Sequence, residues 1–235
     1  MIVLTGLNHK TAPLAVREKI FAGCREKSDL LPALMAVNGV EEVLYLSTCN
    51  RVEVVASIAE DGNALKEITG FLARNGGLTE TEAKGCFYEF RGEEAVRHVF
   101  RVASSLDSMV MGEAQILGQV KDAYREALAK YATGVVLNRL MHCSFRAAKR
   151  VRSETGIAIN PVSVSHAAVE LAKKIFGSLD GKKILLIGAG EMAELTGQQL
   201  IERGAQSIII ANRSFAQAEL LAGKFHGEAA ALDIL

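Results

Sequence analysis

Gly181-Lys182-Lys183-Ile184-Leu185-Leu186-Ile187-Gly188-Ala189-Gly190-Glu191-Met192-Ala193 decides the fold of the second half of the chain. The apolar run Ile184 to Ile187 reads as a strand buried on both faces, as a parallel sheet requires. The residues that follow fit G-x-G-x-x-A. Gly188 permits the tight turn, Gly190 lets the backbone approach a pyrophosphate, and Ala193 keeps the next helix close to the strand. Together with Ala189, Glu191 and Met192 they form a candidate cofactor-binding loop at a helix N-terminus, whose partial positive charge favours an anion. A glycine-rich turn that holds no ligand is the plainer alternative.

Working outward, a helix through Arg203, a strand Ser207 to Ala211 and a helix near Phe215 to Phe225 complete a βαβα unit. This is half of a dinucleotide-binding fold. Where an acidic residue usually reads the ribose hydroxyls, the chain has Asn212-Arg213-Ser214. An arginine there pairs with a 2′-phosphate and no carboxylate opposes it, so the pattern favours NADPH. Otherwise Arg213 is a solvated residue at a helix start. The sequence stops in what reads as the approach to a third strand, which predicts a partial Rossmann-type domain cut from a longer protein.

Toward the N-terminus, Val43-Leu44-Tyr45-Leu46 and Val52-Glu53-Val54-Val55 flank Ser47-Thr48-Cys49-Asn50-Arg51. The pattern predicts a hairpin that lifts a thiol to its tip beside an arginine. A thiol nucleophile together with a hydride carrier points to capture of an acyl group as a thioester, then reduction to an aldehyde. Arg51 would supply the positive potential that a thiolate needs; a structural thiol is the alternative for Cys49. Cys24, Cys86 and Cys143 read as packing thiols. A strand at Ile2 to Leu7, a helix capped by Thr11 and begun near Pro13, and helices over Gly62 to Leu72 and Glu93 to Ser105 predict an α+β domain. The expected organisation is a catalytic domain over 1–142, a linker helix and loop over 143–162, and an α/β Rossmann-type NADP-binding domain over 163–235.

Lys plus Arg and Asp plus Glu each number 27, so global charge gives no support to nucleic-acid binding and any such site must be a local patch. The basic stretch Arg139 to Arg152 is either that patch, for RNA phosphates, or a solvated helix face. No cysteine pair has metal-ligand spacing. There is no leader pattern and no apolar run long enough to cross a bilayer, which predicts a cytoplasmic protein with no membrane partner.

Three longer stretches carry a resemblance: Gly6-Leu7-Asn8-His9-Lys10-Thr11-Ala12-Pro13, Ser47 to Arg51, and Ser108-Met109-Val110-Met111-Gly112-Glu113-Ala114-Gln115-Ile116-Leu117-Gly118-Gln119. They resemble the glutamyl-tRNA reductases, and the Gly188 loop followed by Asn212-Arg213 is similar as well. The resemblance implies NADPH-dependent reduction of glutamyl-tRNA to glutamate-1-semialdehyde, the first committed step of the five-carbon route to tetrapyrroles. It implies Cys49 as nucleophile and His98 as a general acid near the reaction centre, with His9 a supporting residue; a purely structural His98 is the alternative. It places Thr48, Asn50, Arg51, Ser108, Glu113, Ala114, Gln115 and Gln119 at the substrate. Of these, Glu113 would suit the α-ammonium and Thr48, Asn50 and Arg51 the carboxylate end, or Glu113 and Gln115 are ordinary helix-cap groups. The resemblance further implies handover of the semialdehyde to an aminomutase, and a homodimer formed through a helical domain beyond this sequence. Two other readings are a shikimate-dehydrogenase-like NADP oxidoreductase, which leaves Cys49 unemployed, and an RNA-binding module that performs no reduction.

Overall fold

The computed structural model describes residues 1–25, 30–59, 63–113, 115–158 and 164–232. The chain forms two compact units, Met1–Asn160 and Pro161–Leu235.

In the N-terminal unit, β1 (Ile2–Asn8) leads to α1 (Leu14–Arg25) and α2 (Leu30–Met35). The hairpin follows as β2 (Val40–Ser47) and β3 (Arg51–Ile58). Then come α3 (Ala64–Asn75), α4 (Glu80–Ala83), β4 (Tyr88–Arg91), α5 (Glu93–Ala103), α6 (Gln115–Ala129) and α7 (Val135–Glu154). The strands make one antiparallel sheet in the order β2-β3-β1-β4. Every residue of β3 is buried, so helices cover both faces of the sheet.

The pleat assigns the faces, because neighbouring residues on a strand point to opposite sides. Thr5 of β1 bonds Thr69 of α3 at 2.8 Å, which puts α3 on the Thr5 face. Gly6 therefore belongs to the other face, along with its register partners Glu53 and Tyr88. That face meets α5: an apolar lining of Leu44, Leu46, Val55, Val99, Val102, Val120 and Met141 surrounds Glu53 there.

Helix α7 has no side-chain cap of its own at Gly134. The Glu42 carboxylate, reaching from β2, accepts the Val136 and Leu137 N–H groups at 2.9 and 2.7 Å and supplies that cap. The helix then runs unbroken to Glu154 and buries Ser144 and Ala148. Residues 143–154, expected as a linker, are thus the second half of a helix packed within the N-terminal unit, and the division falls after Asn160.

The C-terminal unit holds α8 (Val164–Phe176), β5 (Lys183–Ile187), α9 (Glu191–Glu202), β6 (Ser207–Asn212), α10 (Phe215–Lys224) and β7 (Glu228–Ala231). Its strands are parallel in the order β5-β6-β7. The third strand is therefore already paired to β6 four residues before the end, whereas the sequence predicts only its approach. Ile208, Ile210, Ala218, Leu221 and Ala222 form the core between β6 and α10. Leu185 and Ile187 of β5, the edge strand of this three-stranded sheet, are 45% and 69% exposed.

Candidate active site and nucleotide loop

The hairpin tip is built by Thr48. Its backbone N–H donates to Arg51 O at 2.8 Å, and its hydroxyl oxygen accepts the Asn50 and Arg51 N–H groups at 3.2 and 3.1 Å. The threonine thereby closes a tight turn with its own side chain. Cys49 sits at the apex, exposed, while Cys24 and Cys86 are buried and Cys143 is half-buried. Two clamps hold the apex from outside. His9 N–H donates to Asn50 O at 3.0 Å, and Arg17 Nη1 donates to Cys49 O at 2.8 Å and to Asn50 Oδ1 at 3.3 Å.

Beneath the tip, Arg51 is only 2% exposed. Its Nη1 meets Glu53 Oε1 at 2.6 Å, and its Nη2 meets Asp107 Oδ2 at 3.0 Å and the Asp107 carbonyl. The other Asp107 oxygen accepts Lys10 Nζ at 2.7 Å, and Asn8 Nδ2 lies 3.4 Å from Oδ2. Arg51 is thus a structural cation with both ends of its fork occupied, rather than a free charge beside the thiol. Two cations and two carboxylates cancel within this network.

Glu53 Oε1 also accepts Tyr88 O–H and lies 2.8 Å from His98 Nε2. Burial opposes the charge on Glu53, yet the His98 hydrogen bond, Arg51 and Tyr88 hold its carboxyl below the usual carboxylate range. An ionised carboxylate only accepts, so Nε2 of His98 carries the hydrogen of this bond. The histidine ring packs at a tilt against Tyr88 and Phe90, with centroid distances of 5.3 and 4.9 Å. Gly6 makes the crossing possible. A Cβ there would stand 2.5 Å from Val52 O and 2.7 Å from Glu53 Cγ, so the glutamate reaches Tyr88 and His98 across the one residue without a side chain.

An open cleft of about 600 Å³ borders this network, lined by Asn8, Lys10, Tyr88, Phe90, His98 and Asp107 among others. His98 therefore faces a space that can admit a ligand, while Cys49 is not part of its lining.

Asp107 and Ser108 lie on the segment between α5 and α6, tied down by Arg51. The segment folds back on itself: Ser105 Oγ donates to Glu113 O at 2.6 Å and Gly112 N–H donates to Ser105 O at 3.1 Å. Ser108 is half-buried, and Met109 and Met111 are both 61% exposed. Burial raises the carboxyl pKa of Glu113. Gln115 opens α6, and Gln119 follows one turn later on its exposed surface. Ala114 lies outside the described residues.

The pKa of His9 is lowered: burial disfavours its charged form, and Lys10 and Arg51 add to this against the opposing pull of Asp107. Its Nδ1 is buried without a hydrogen-bond partner. Among the described residues, no group of three His, Cys, Asp or Glu side chains could hold a metal ion, and no helix is long and apolar enough to cross a membrane.

The network residues Glu53, Tyr88 and Asp107 escape sequence reasoning. For Glu53 a signal exists. Arg51 and Glu53 are two apart on a strand, hence on one face, and a charged pair inside an apolar strand needs a partner.

In the C-terminal unit, Gly188 has φ of +108° and its N–H donates to Ala211 O at 2.7 Å, the turn that only glycine adopts without strain. Gly190 is the N-cap of α9, with nothing within 4 Å of where a Cβ would be. Ala189 and Ala193 pack against the β6–α10 core, and Met192 is half-buried with its carbonyl accepting Thr196 Oγ1 at 2.7 Å. Glu191 is the first residue of α9. At the end of β6, Asn212 Nδ2 donates to Ser214 O at 3.1 Å, and Arg213 is exposed. Strand, turn, open backbone and helix N-terminus fit a pyrophosphate.

Comparison with known proteins fits this geometry. Residues 5–155 match the family model described as glutamyl-tRNAGlu reductase, N-terminal domain. The chain belongs to the glutamyl-tRNA reductase family. Residues 170–235 match the model for shikimate / quinate 5-dehydrogenase, a match confined to the C-terminal unit. Among named reductases of the family, the protein of Syntrophus aciditrophicus is 54% identical over 99% of this chain and 55% of its own length. That of Syntrophobacter fumaroxidans is 53% identical over 99% of the chain and 50% of its length. The solved glutamyl-tRNA reductase from Methanopyrus kandleri aligns with a TM-score of 0.66 at 36% identity, covering 99% of this chain and 54% of that one. The chain thus spans about half the length of the reductases it matches.

Proposed function

We propose that this chain carries the acyl-capturing thiol and the nucleotide-binding start of an NADPH-dependent glutamyl-tRNA reductase, which forms glutamate-1-semialdehyde at the entry to tetrapyrrole synthesis. The observation that supports it most is an exposed cysteine, fixed at a hairpin apex over a buried ion network, in a member of this family.

In the proposed reaction, Cys49 Sγ attacks the carbonyl carbon of the aminoacyl ester. A C–S bond forms, the C–O bond to the terminal ribose breaks, and the departing ribose oxygen takes up a proton. A thioester is a better electrophile than the ester and its thiolate leaves readily, so addition of a hydride would release the aldehyde and return Cys49 as the thiolate. NADPH, when bound, supplies that hydride. Gly188, Ala189, Gly190, Glu191, Met192 and Ala193 would hold its pyrophosphate and Asn212 and Arg213 its 2′-phosphate side. Thr48, Asn50, Ser108, Glu113, Ala114, Gln115 and Gln119 would bind the aminoacyl group. His98, oriented through Nε2 by Glu53, would serve the proton transfer from the cleft side. Arg51 would act by fixing Glu53 and the Asp107 segment.

The exposed row Arg139, Arg146, Lys149 and Arg150 on α7 supports a phosphate contact with the RNA, although Arg150 is also paired with Glu154 at 2.8 Å. Cytoplasmic location, a homodimer and transfer of the semialdehyde to an aminomutase belong to the same reading. Cys49→Ser should abolish semialdehyde formation from glutamate-charged tRNA and NADPH while the circular dichroism spectrum is unchanged. Retained activity in a folded variant would overturn the reading.

A further inference from the structure

We propose that Arg17, rather than Arg51, is the cation that acts at the Cys49 apex: a positioning residue that fixes the tip and leaves a positive charge open beside it for an electrophile bearing a negative charge. The purpose assigned to that charge rests on the acyl-capture reading above; its existence rests on the hydrogen bonds alone.

Arg17 lies in the first turns of α1 and is half-buried. Its Nη1 donates to Cys49 O at 2.8 Å and Asn50 Oδ1 at 3.3 Å, and its Nε donates to Ala12 O at 3.3 Å. All three acceptors are neutral. No carboxylate pairs with it, and no acceptor takes its Nη2 hydrogens, among the described residues.

The neighbouring cations differ. Arg51 is neutralised by Glu53 and Asp107 and Lys10 by Asp107, while burial disfavours the charged form of His9. Arg17 is thus the uncompensated charge in direct contact with the residue that carries the thiol. It also ties α1 to the hairpin, so the group that fixes the apex is the group that charges it. A guanidinium suits both tasks, because its planar fork bonds two acceptors and keeps donors in reserve.

The test uses two alkylating agents of nearly the same size, neutral iodoacetamide and anionic iodoacetate, with peptide mapping to follow Cys49. Wild-type protein should alkylate Cys49 with an iodoacetate-to-iodoacetamide rate ratio above that of free cysteine. Arg17→Gln should lower the ratio about two- to five-fold, the effect of one charge partly screened by solvent. Arg17→Lys should restore most of it, since it keeps the charge and loses only the fork. An unchanged ratio in Arg17→Gln overturns the proposal. So does an equal change in both rates, which marks a structural role alone, or an Arg17→Lys ratio no higher than that of Arg17→Gln. No tRNA or NADPH enters the experiment, so its failure leaves acyl capture by Cys49 standing, and failure of acyl capture leaves the rate ratio to be read independently.

Discussion

Two turns carry the candidate chemistry, and they are built in opposite ways. The Gly188 turn is made by backbone freedom: one positive φ, one glycine with open space over it, and a helix beginning at once. The Cys49 turn contains no glycine. It is held by the Thr48 hydroxyl, by the Arg17 clamp and by a buried network that gathers Arg51, Glu53, Tyr88, His98 and Asp107 from three strands or helices and a connecting segment. A turn of the first kind tolerates change around it and fails only toward its ligand. A turn of the second kind fails first in stability.

The sharpest way to break this contrast is Glu53→Ala. It leaves Arg51 buried with half its partners gone, and breaking such a pair costs about 3–5 kcal/mol. Amide hydrogen exchange should show the loss in β1 and β3 and none in β5 and β6; a loss under about 1 kcal/mol would show that the network is not what secures the tip. Acid should act in the same direction. The folded-state pKa values of Glu53 and Asp107 are lowered, so their contribution is present above the ordinary carboxylate range and lost as pH falls through the lowered values. His9, also lowered, takes up a proton more readily in the unfolded chain, so stability already begins to fall below its ordinary value of 6.5. Thermal melts from pH 7 downward should show the N-terminal unit weakening in these two stages.

Glycine to alanine separates the turns next. Gly6→Ala drives a methyl into Val52 and Glu53 and should cost about 1–3 kcal/mol by overpacking, read as a shift in the urea midpoint. Gly190→Ala meets open space and should stay within about 0.5 kcal/mol, yet weaken NADPH binding roughly tenfold or more by holding the pyrophosphate off the backbone. Equal destabilisation by the two would end the contrast. Smaller still, Arg213→Ala should lower the preference for NADPH over NADH by roughly tenfold, the worth of one charge-assisted pair, and leave NADH affinity unchanged by fluorescence titration.

The same contrast explains what was legible in the sequence. The glycine loop, its flanking strand and helix, the cysteine hairpin, the first strand and the α5 helix announce themselves by local pattern. Strand β4 does not: four residues, Tyr88 to Arg91, are too short for alternation to register, and they become a strand only by pairing with β1. Tail residues 228–231 are mostly alanine and become β7 through β6. At the site, Thr48, Cys49 and Asn50 form one hairpin tip, and Ser108 follows Asp107 on the segment that Arg51 ties down. Arg51 matches the motif, but its chemistry depends on Asp107, 56 residues away. The role of Glu53 depends on Gly6 and His98, which no local window joins. Long-range side-chain networks leave no period in a sequence, whereas backbone turns do.

The central claim is that Cys49 is a nucleophile toward the glutamyl ester, and intact-mass spectrometry after mixing the protein with glutamate-charged tRNA in the absence of NADPH tests it most directly. The account predicts a glutamyl adduct that maps to Cys49 and is removed by hydroxylamine, as a thioester is. Bound tRNA with no adduct, or an adduct on another residue, would contradict it.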